Sequence, residues 1–465
     1  MTTTNDRGGS RRNARPDDEA AATDTPAATG NTAPSVSRRR LLATAGAAGA
    51  AGLAVGAGAL AATSAASTPA STPGGAAPGN PASDSAAGGA PALTSLGAHA
   101  YPFHGAHQAG IVQPMQARML STAFDLTAGT GRPGLTSLMK RWSAAAAAMA
   151  EGRTPPGLTD DDTALDAGPS SLTVTFGFGA PVFAKAGLAA RLPAALAPLP
   201  PFPEDALDRR RSDGDLWVQV CADDALVAFH AMRTLQRLAA GAATVRWQMS
   251  GFSRSPGATA QPRTGRNLMG QIDGTNNPKP TDSTFDARVF VPAEPDAGKG
   301  QPAWMAGGSY AVFRRIRMLL DHWDQQTTDR QEQVIGRHKA SGAPLSGGAE
   351  TTPVDLAKLT PDGALAIPGD AHIRVATPDA NQGAAMLRRG YSYHDGLRAD
   401  GSPDAGLLFV AFQSDPLTGF VPVQRKLARA DALSVFIAHE SSGLYAVPGG
   451  AADPSGYVGQ ALLEG

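Results

Sequence analysis

Cysteine is almost missing from this chain: Cys221 is the only one in 465 residues. A single thiol cannot close an internal disulfide or hold a metal cluster on thiolates. Charge is also sparse, at 17% of residues, and the signs balance to a net −1, which leaves no electrostatic footprint for nucleic acid. Strongly apolar runs are lacking too. The one long uncharged stretch, about residues 41–62, is mostly Gly and Ala and carries little of the transfer energy that Leu or Ile would supply. Aromatic residues make up only 6%, but 42% of the chain is hydrophobic, enough for one large core or two.

The chain opens on residues 1–36, polar and without apolar period, where disorder is expected. Ser37-Arg38-Arg39-Arg40-Leu41-Leu42 then precedes the Gly/Ala run, and residues 37–66 read as a twin-arginine (Tat) export signal with small residues at Ser64-Ala65-Ala66 for cleavage. A transmembrane anchor is the competing reading, weakened by the poor hydrophobicity of the run. Residues 67–95 are Ser, Thr, Pro, Gly and Ala, a tether without a core, so the folded body is expected from about Leu96.

Within the body, Met119–Leu126, Leu172–Phe178, Leu216–Cys221 and Thr244–Met249 read as strands, with helices over Leu135–Ala150 and Asp223–Leu238. That order, strand–helix–strand–strand–helix–strand, is a ferredoxin-like unit. A similar order follows in the second half. Strands are expected at Ser309–Arg317, Leu407–Phe412, Leu433–Ala438 and Gly443–Val447, and helices at Leu319–Gln326, Thr328–Gly336 and Val421–Leu427. The expected fold class is α+β: a duplicated ferredoxin-like arrangement with antiparallel sheets and peripheral helices. Its halves are 96–255 and 308–465, joined by a connection at 256–307.

The connection carries Gly270-Gln271-Ile272-Asp273-Gly274-Thr275-Asn276-Asn277-Pro278, a carboxylate set between glycines. An ordinary turn is the plain reading of these nine residues alone. Downstream lie Ala371-His372-Ile373-Arg374 and Met386-Leu387-Arg388-Arg389-Gly390-Tyr391. In that order, the acid, the histidine and the arginine resemble the signature of dye-decolourising peroxidases: a GxxDG motif, an axial histidine and a distal arginine. The opening Tyr101-Pro102-Phe103-His104-Gly105-Ala106-His107 resembles the exported deferrochelatase/peroxidase branch of that family. The resemblance runs from about Leu96 to the C-terminus and implies a dimeric α/β barrel of ferredoxin-like halves.

It also implies haem b, one per chain and non-covalent, since no second cysteine exists to attach it. Nine histidines are present and spacing alone singles out none of them. Of these, His230 falls in an apolar helix, as a core or capping residue would, while His322 and His338 sit among charges and His394 and His439 precede acids, as surface residues do. By resemblance His372 is the iron ligand, Asp273 the general acid–base and Arg388 the charge stabiliser. Gly274, Thr275, Asn276, Thr377, Pro378, Asp379 and Arg337 are candidates for the haem edge and its propionates. Asp415 is the candidate acid for orienting the axial imidazole, and Tyr391, Tyr393, Trp304 and Trp323 are candidate surface relays for electrons. His104 and His107 have no cysteine or acidic cluster beside them, so no metal site is read there.

The function this implies is reduction of hydrogen peroxide through a ferryl intermediate, with oxidation of dye-like or phenolic donors. Release of iron from free haem is a variant of the same site. A homo-oligomer, a periplasmic or extracellular location and iron-uptake partners at the membrane go with it. The alternative is a non-enzymatic haem-binding or haem-transfer protein, in which the distal acid would have no task.

Overall fold

The structure is a computed structural model and describes residues 97–259, 263–294 and 300–465. The expectations for residues 1–36, 37–66 and 67–95 lie outside the described residues.

The first half runs β1 (Arg118–Leu126), α1 (Gly131–Ala150), β2 (Thr173–Gly179), α2 (Ala180–Lys185), β3 (Leu216–Ala222), α3 (Ala225–Ala239) and β4 (Ala243–Phe252). After the connecting helix α4 (Phe285–Val289) come β5 (Ser309–Met318), α5 (Leu320–Asp324), α6 (Thr328–Ile335) and α7 (His372–Ala376). The chain continues with β6 (Leu387–Arg388), β7 (Tyr391–Leu397), β8 (Pro403–Gln413), α8 (Phe420–Ala430), β9 (Ile437–Val447) and α9 (Gln460–Leu463).

All strand pairs are antiparallel. The sheet order is β5-β9-β2-β3-β1-β4-β7-β8, and a further pairing of β8 with β5 closes these strands into an eight-stranded barrel. In each half the order is fourth, first, third, second strand: β4-β1-β3-β2, and β9-β5-β8-β7. Two seams join the halves, β2 to β9 at Phe178↔Ala446 and β4 to β7 at Phe252↔Ser392. Here the duplication expected from the sequence is visible as topology.

Alternation along the strands divides the core. Trp217 and Cys221 of β3, Ala311 and Phe313 of β5, and Tyr445 and Val447 of β9 join one apolar cluster. Their neighbours Leu216, Val218, Val220, Tyr310, Val312, Leu444 and Ala446 join another, shared with α1 and α3. A period of two therefore sends one set into the barrel and the other under the helices. Inside the barrel, rings from opposite halves stack: Trp217 on Tyr445 at 5.5 Å between centroids, and Trp247 on Phe313 at 4.9 Å. Outside it, Trp142 Nε1 donates to Leu235 O at 2.8 Å and locks α1 to α3. Asp224 caps α3, its Oδ1 accepting from the Leu226 and Val227 amides.

Two elements differ from expectation. Residues 432–436 form a 3-10 turn, not the start of a strand, because Asp431 caps Leu433 N and turns the chain before β9 begins. Strand β7, Tyr-Ser-Tyr-His-Asp-Gly-Leu, is absent from the expected elements, since its outer half is polar and breaks the apolar pattern. Its first residues, Tyr391 and Tyr393, are fully buried, and Trp304 and Trp323 are 8% and 0% exposed. None of the four candidate relays is a surface residue.

One end of the C-terminal half is tied by a buried arginine. The Arg315 side chain, 1% exposed, pairs with Asp395 at 2.6 Å, Asp404 at 2.7 Å and Glu440 at 3.5 Å, and lies 3.7 Å over the Tyr393 ring. It thereby joins β5 to β7, β8 and β9. Arg315→Met removes the cation from beside Asp404 and Glu440, but Glu440 keeps Arg317 at 3.1 Å and Arg398 at 2.9 Å, so a loss of about 1–3 kcal/mol in urea unfolding is expected. A change below about 1 kcal/mol would show the network to be ornamental.

Candidate active site

Asp273 is presented by a small hairpin. Asn267 N donates to Gln271 O at 3.0 Å, Asp273 N to Gly265 O at 3.0 Å, and Arg266 bridges Ile272. Asn267 Oδ1 accepts from the Met269 and Gln271 amides and fills the turn, while its Nδ2 lies 3.5 Å from Asp273 Oδ2. Gly270 and Gly274 have φ of +78° and +116°, a left-handed backbone that flanks the acid and that a side chain would strain. The two glycines thus let the chain turn sharply on either side of Asp273.

Arg388 comes from β6, which pairs with β8 in line with β7 through Leu387↔Phe412 and Arg388↔Ala411. Its Nη1 donates to Asp273 Oδ1 at 3.0 Å, and both side chains keep 31% of their surface open. The two residues, 115 apart in sequence, form a half-exposed ion pair. Asn277, from the loop after Asp273, donates Nδ2 to Arg388 O at 2.7 Å and accepts Arg388 N at 3.1 Å. The adjacent Arg389 turns the other way. It is buried and donates to Gln113 O, Pro114 O and Gln116 of the N-terminal half.

His372 is the first residue of α7. Its Nδ1 lies 2.7 Å from Asp431 Oδ2, and the Asp431 side chain is 2% exposed while the histidine's is 30% open. Burial pushes the imidazole's proton affinity down, but the Asp431 charge and hydrogen bond outweigh it and the net shift is upward. Arg388 lowers it and Asp273 raises it in smaller measure, so all three residues share one electrostatic neighbourhood. Asp431 Oδ1 meanwhile accepts Leu433 N at 2.9 Å, and Ala432 N donates to Asp370 O at 2.9 Å, which fixes the two segments to each other.

The orienting acid is therefore Asp431 and not Asp415. Asp415 instead caps its own loop, accepting Leu417 N at 2.8 Å. The only trace of Asp431 in the sequence is an acid just after a helix and before Ala-Leu, a cap position. Nothing there says which histidine it meets.

The remaining candidates fall around this centre. Thr275 Oγ1 donates to Glu350 Oε1 at 3.0 Å, Asn276 is exposed, Thr377 is buried at the end of α7, Pro378 begins the following 3-10 turn and Asp379 is exposed. Arg337 is buried and gives Nη1 to Gly342 O and Glu350 O at 2.7 and 2.8 Å. Burial lowers its pKa, the Glu350 charge partly offsets this, and the Arg388 charge lowers it further, so Arg337 lies in the field of Arg388. His107 is structural, stacked on Phe290 at 3.6 Å with Nδ1 2.6 Å from Gly307 O.

Two other histidines differ from expectation. His230 is only partly buried and pairs with Asp161 at 2.9 Å, and His439, read as a surface residue, is 4% exposed. Burial first, then the neighbouring Arg314 guanidinium, lowers the His439 pKa to about 3. The unfolded chain binds a proton near pH 6.5 that the folded one refuses, so stability is lost as pH falls from about 6.5 toward 3. Between pH 7 and 5 this amounts to about 2 kcal/mol. His439→Gln is expected to remove that part of the pH dependence of the urea midpoint.

The pieces suit an iron porphyrin: an imidazole on a part-open ring whose Nε2 has no partner among the described residues, a buried carboxylate behind it, and an accessible acid–guanidinium couple. Residues 108–253 match the family model "Dyp-type peroxidase, N-terminal", and residues 264–452 match "Dyp-type peroxidase, C-terminal". The chain belongs to the Dyp-type peroxidase family. It is 44% identical to the dye-decolorizing peroxidase of Thermobifida fusca (strain YX), over 77% of this chain and 84% of that one. It is 35% identical to the deferrochelatase of Escherichia coli (strain K12), over 78% of this chain and 87% of that one. Among solved structures, ferric DtpA from Streptomyces lividans is 61% identical with a TM-score of 0.78, covering 81% of this chain and all of the other. As a Dyp-type peroxidase the chain is a haem enzyme, and its cofactor is held without covalent attachment.

Proposed function

We propose that this chain is an exported haem b peroxidase that reduces hydrogen peroxide and oxidises dye-like or phenolic donors. The observation that carries this reading is the 3.0 Å pair of Asp273 and Arg388 in the same neighbourhood as His372. Haem supplies the iron at which peroxide is reduced and a store for the oxidising equivalents that donors later discharge. The protein supplies the rest. His372 would hold the iron through Nε2, and Asp431, 2.7 Å from Nδ1, would keep the proton on Nδ1 so that Nε2 is free to bind. Asp273 takes the proton from the peroxide oxygen that binds and returns it to the oxygen that leaves. Arg388 cannot give up its proton, and its charge stabilises the negative charge growing on the leaving oxygen. Arg337 suits a propionate, while Gly274, Thr275, Asn276, Thr377, Pro378 and Asp379 are proposed along the cofactor edge.

The twin-arginine segment at 37–66 supports export by the Tat pathway, which carries folded proteins and permits cofactor insertion beforehand. Relatives named deferrochelatase raise a second use of the same site, release of iron from free haem with the porphyrin intact. Purified, haem-loaded protein is tested with peroxide against dyes and phenols, and separately with free haem under a reductant. Peroxide-dependent bleaching is the expected result, and metal-free protoporphyrin would add the second activity. A stable haem complex that neither bleaches donors nor consumes peroxide would leave only the haem carrier.

A further inference from the structure

The Asp273–Arg388 contact is a half-exposed ion pair, and such a pair is screened and contributes little to holding its partners together. Something else must fix the hairpin loop against β6. One side of β6 is paired with β8, through Arg388↔Ala411 and the bond from Arg389 N to Val410 O at 2.7 Å. The other side has no strand among the described residues. Asn277 occupies it, donating to Arg388 O at 2.7 Å and accepting Arg388 N at 3.1 Å. A side-chain amide holds one donor group and one acceptor, so it reproduces the two-bond exchange of an antiparallel ladder at a single residue. Asn277 is itself anchored in the acid's loop, its N–H donating to Gly274 O at 3.0 Å.

We propose that Asn277 is a positioning residue: it clamps the backbone of Arg388 to the loop that carries Asp273, so that the carboxylate and guanidinium meet in register before peroxide arrives. This rests on the peroxidase reading for its consequence, but the clamp itself concerns this chain alone. Its neighbour Asn276 is exposed, so the role belongs to the second asparagine of the pair. Aspartate at 277 keeps the acceptor and loses the donor, and alanine loses both.

Two readouts test it. The first is hydrogen exchange at the Arg388 amide, whose acceptor is the Asn277 side chain. Asn277→Ala is expected to raise that rate by about tenfold or more, with the β8 amides at 410–412 within about twofold, whereas Asn277→Asp retains most of the protection. The second is steady-state turnover of the haem-loaded protein, in which kcat/KM for peroxide reports the first half-reaction and kcat/KM for the donor the second. Asn277→Ala is expected to lower the former about 10–100-fold and leave the latter within about twofold, with Asn277→Asp intermediate. In an Arg388→Leu background Asn277→Ala should cost nothing more.

Unchanged exchange at Arg388, a general rise across β8, or fully additive losses with Arg388→Leu would overturn the proposal. So would faster exchange with peroxide turnover untouched. If the unsubstituted protein ignores peroxide while Asn277→Ala still frees the Arg388 amide, the clamp stands and the peroxidase reading is what has failed.

Discussion

Asp273→Asn should slow the reaction of the haem-loaded protein with peroxide by about 10²–10⁴-fold, the usual range for removing a positioned proton-transfer group. The asparagine keeps the shape of the side chain and an oxygen that can accept from Arg388 Nη1, now 3.0 Å from the acid. What it loses is the ability to take a proton from one peroxide oxygen and hand it to the other. Arg388→Leu removes the second element and should cost about 10²–10³-fold, as loss of one preorganised charge stabiliser does. The double variant should fall well short of the product of the two, because the residues act as one unit. Rapid mixing of the ferric protein with peroxide, followed at the Soret band, reads each rate directly. Neither residue touches His372 or Asp431 in a hydrogen bond, so the resting spectrum should stay close to that of the parent. Equal rates in parent and variants would remove the acid–base role.

For retention of the cofactor, His372→Ala should abolish binding of haem through desalting, or leave a Soret band without the imidazole signature. The nitrogen proposed to bind iron has no obvious substitute: His338, the preceding histidine in the chain, is exposed and paired with Glu332 at 2.8 Å. Asp431→Ala is the subtler test. It leaves the ligand in place but removes the acceptor 2.7 Å from Nδ1, so the ring is free to rotate and to change tautomer. A loss of about 10–100-fold in haem affinity is expected. Asp431→Asn should do less damage, since an amide oxygen still accepts from Nδ1–H. The alanine variant also forfeits the cap on Leu433, so an apo-protein unfolding curve is needed beside the titration. Haem affinity unchanged in Asp431→Ala would mean that the carboxylate only caps the 3-10 turn.

Much of the fold can be read from local pattern, and some of it cannot. The strands of the first half follow alternation closely, because both faces of the barrel wall are apolar-lined and each strand must sort its residues between lumen and helices. Strand β7 escapes because only its first three residues, Tyr391 to Tyr393, are buried. Residues 433–436 read as strand because an apolar run is equally compatible with a 3-10 turn, and only the cap from Asp431 decides between them. His439 and the four candidate relay aromatics are misplaced by the sequence for a shared reason. Burial depends on what packs above a residue, which neighbouring letters do not encode.

By itself, the order of residues determined the class of chemistry: a lone cysteine ruled out thiolate attachment, and an acid between glycines, a histidine and an arginine came in a recognisable succession. It also determined the duplicated strand–helix order, because hydrophobic period is a local property. Only the tertiary structure decided which acid stands behind His372, that Arg389 faces the N-terminal half while Arg388 meets Asp273, and that Asn277 holds the backbone between them. Those are contacts between segments 59, 115 and 111 residues apart, fixed by closure of the barrel and by the pairing of β6 with β8. Pairing at that range depends on how the whole sheet closes, so no local stretch of sequence could specify it.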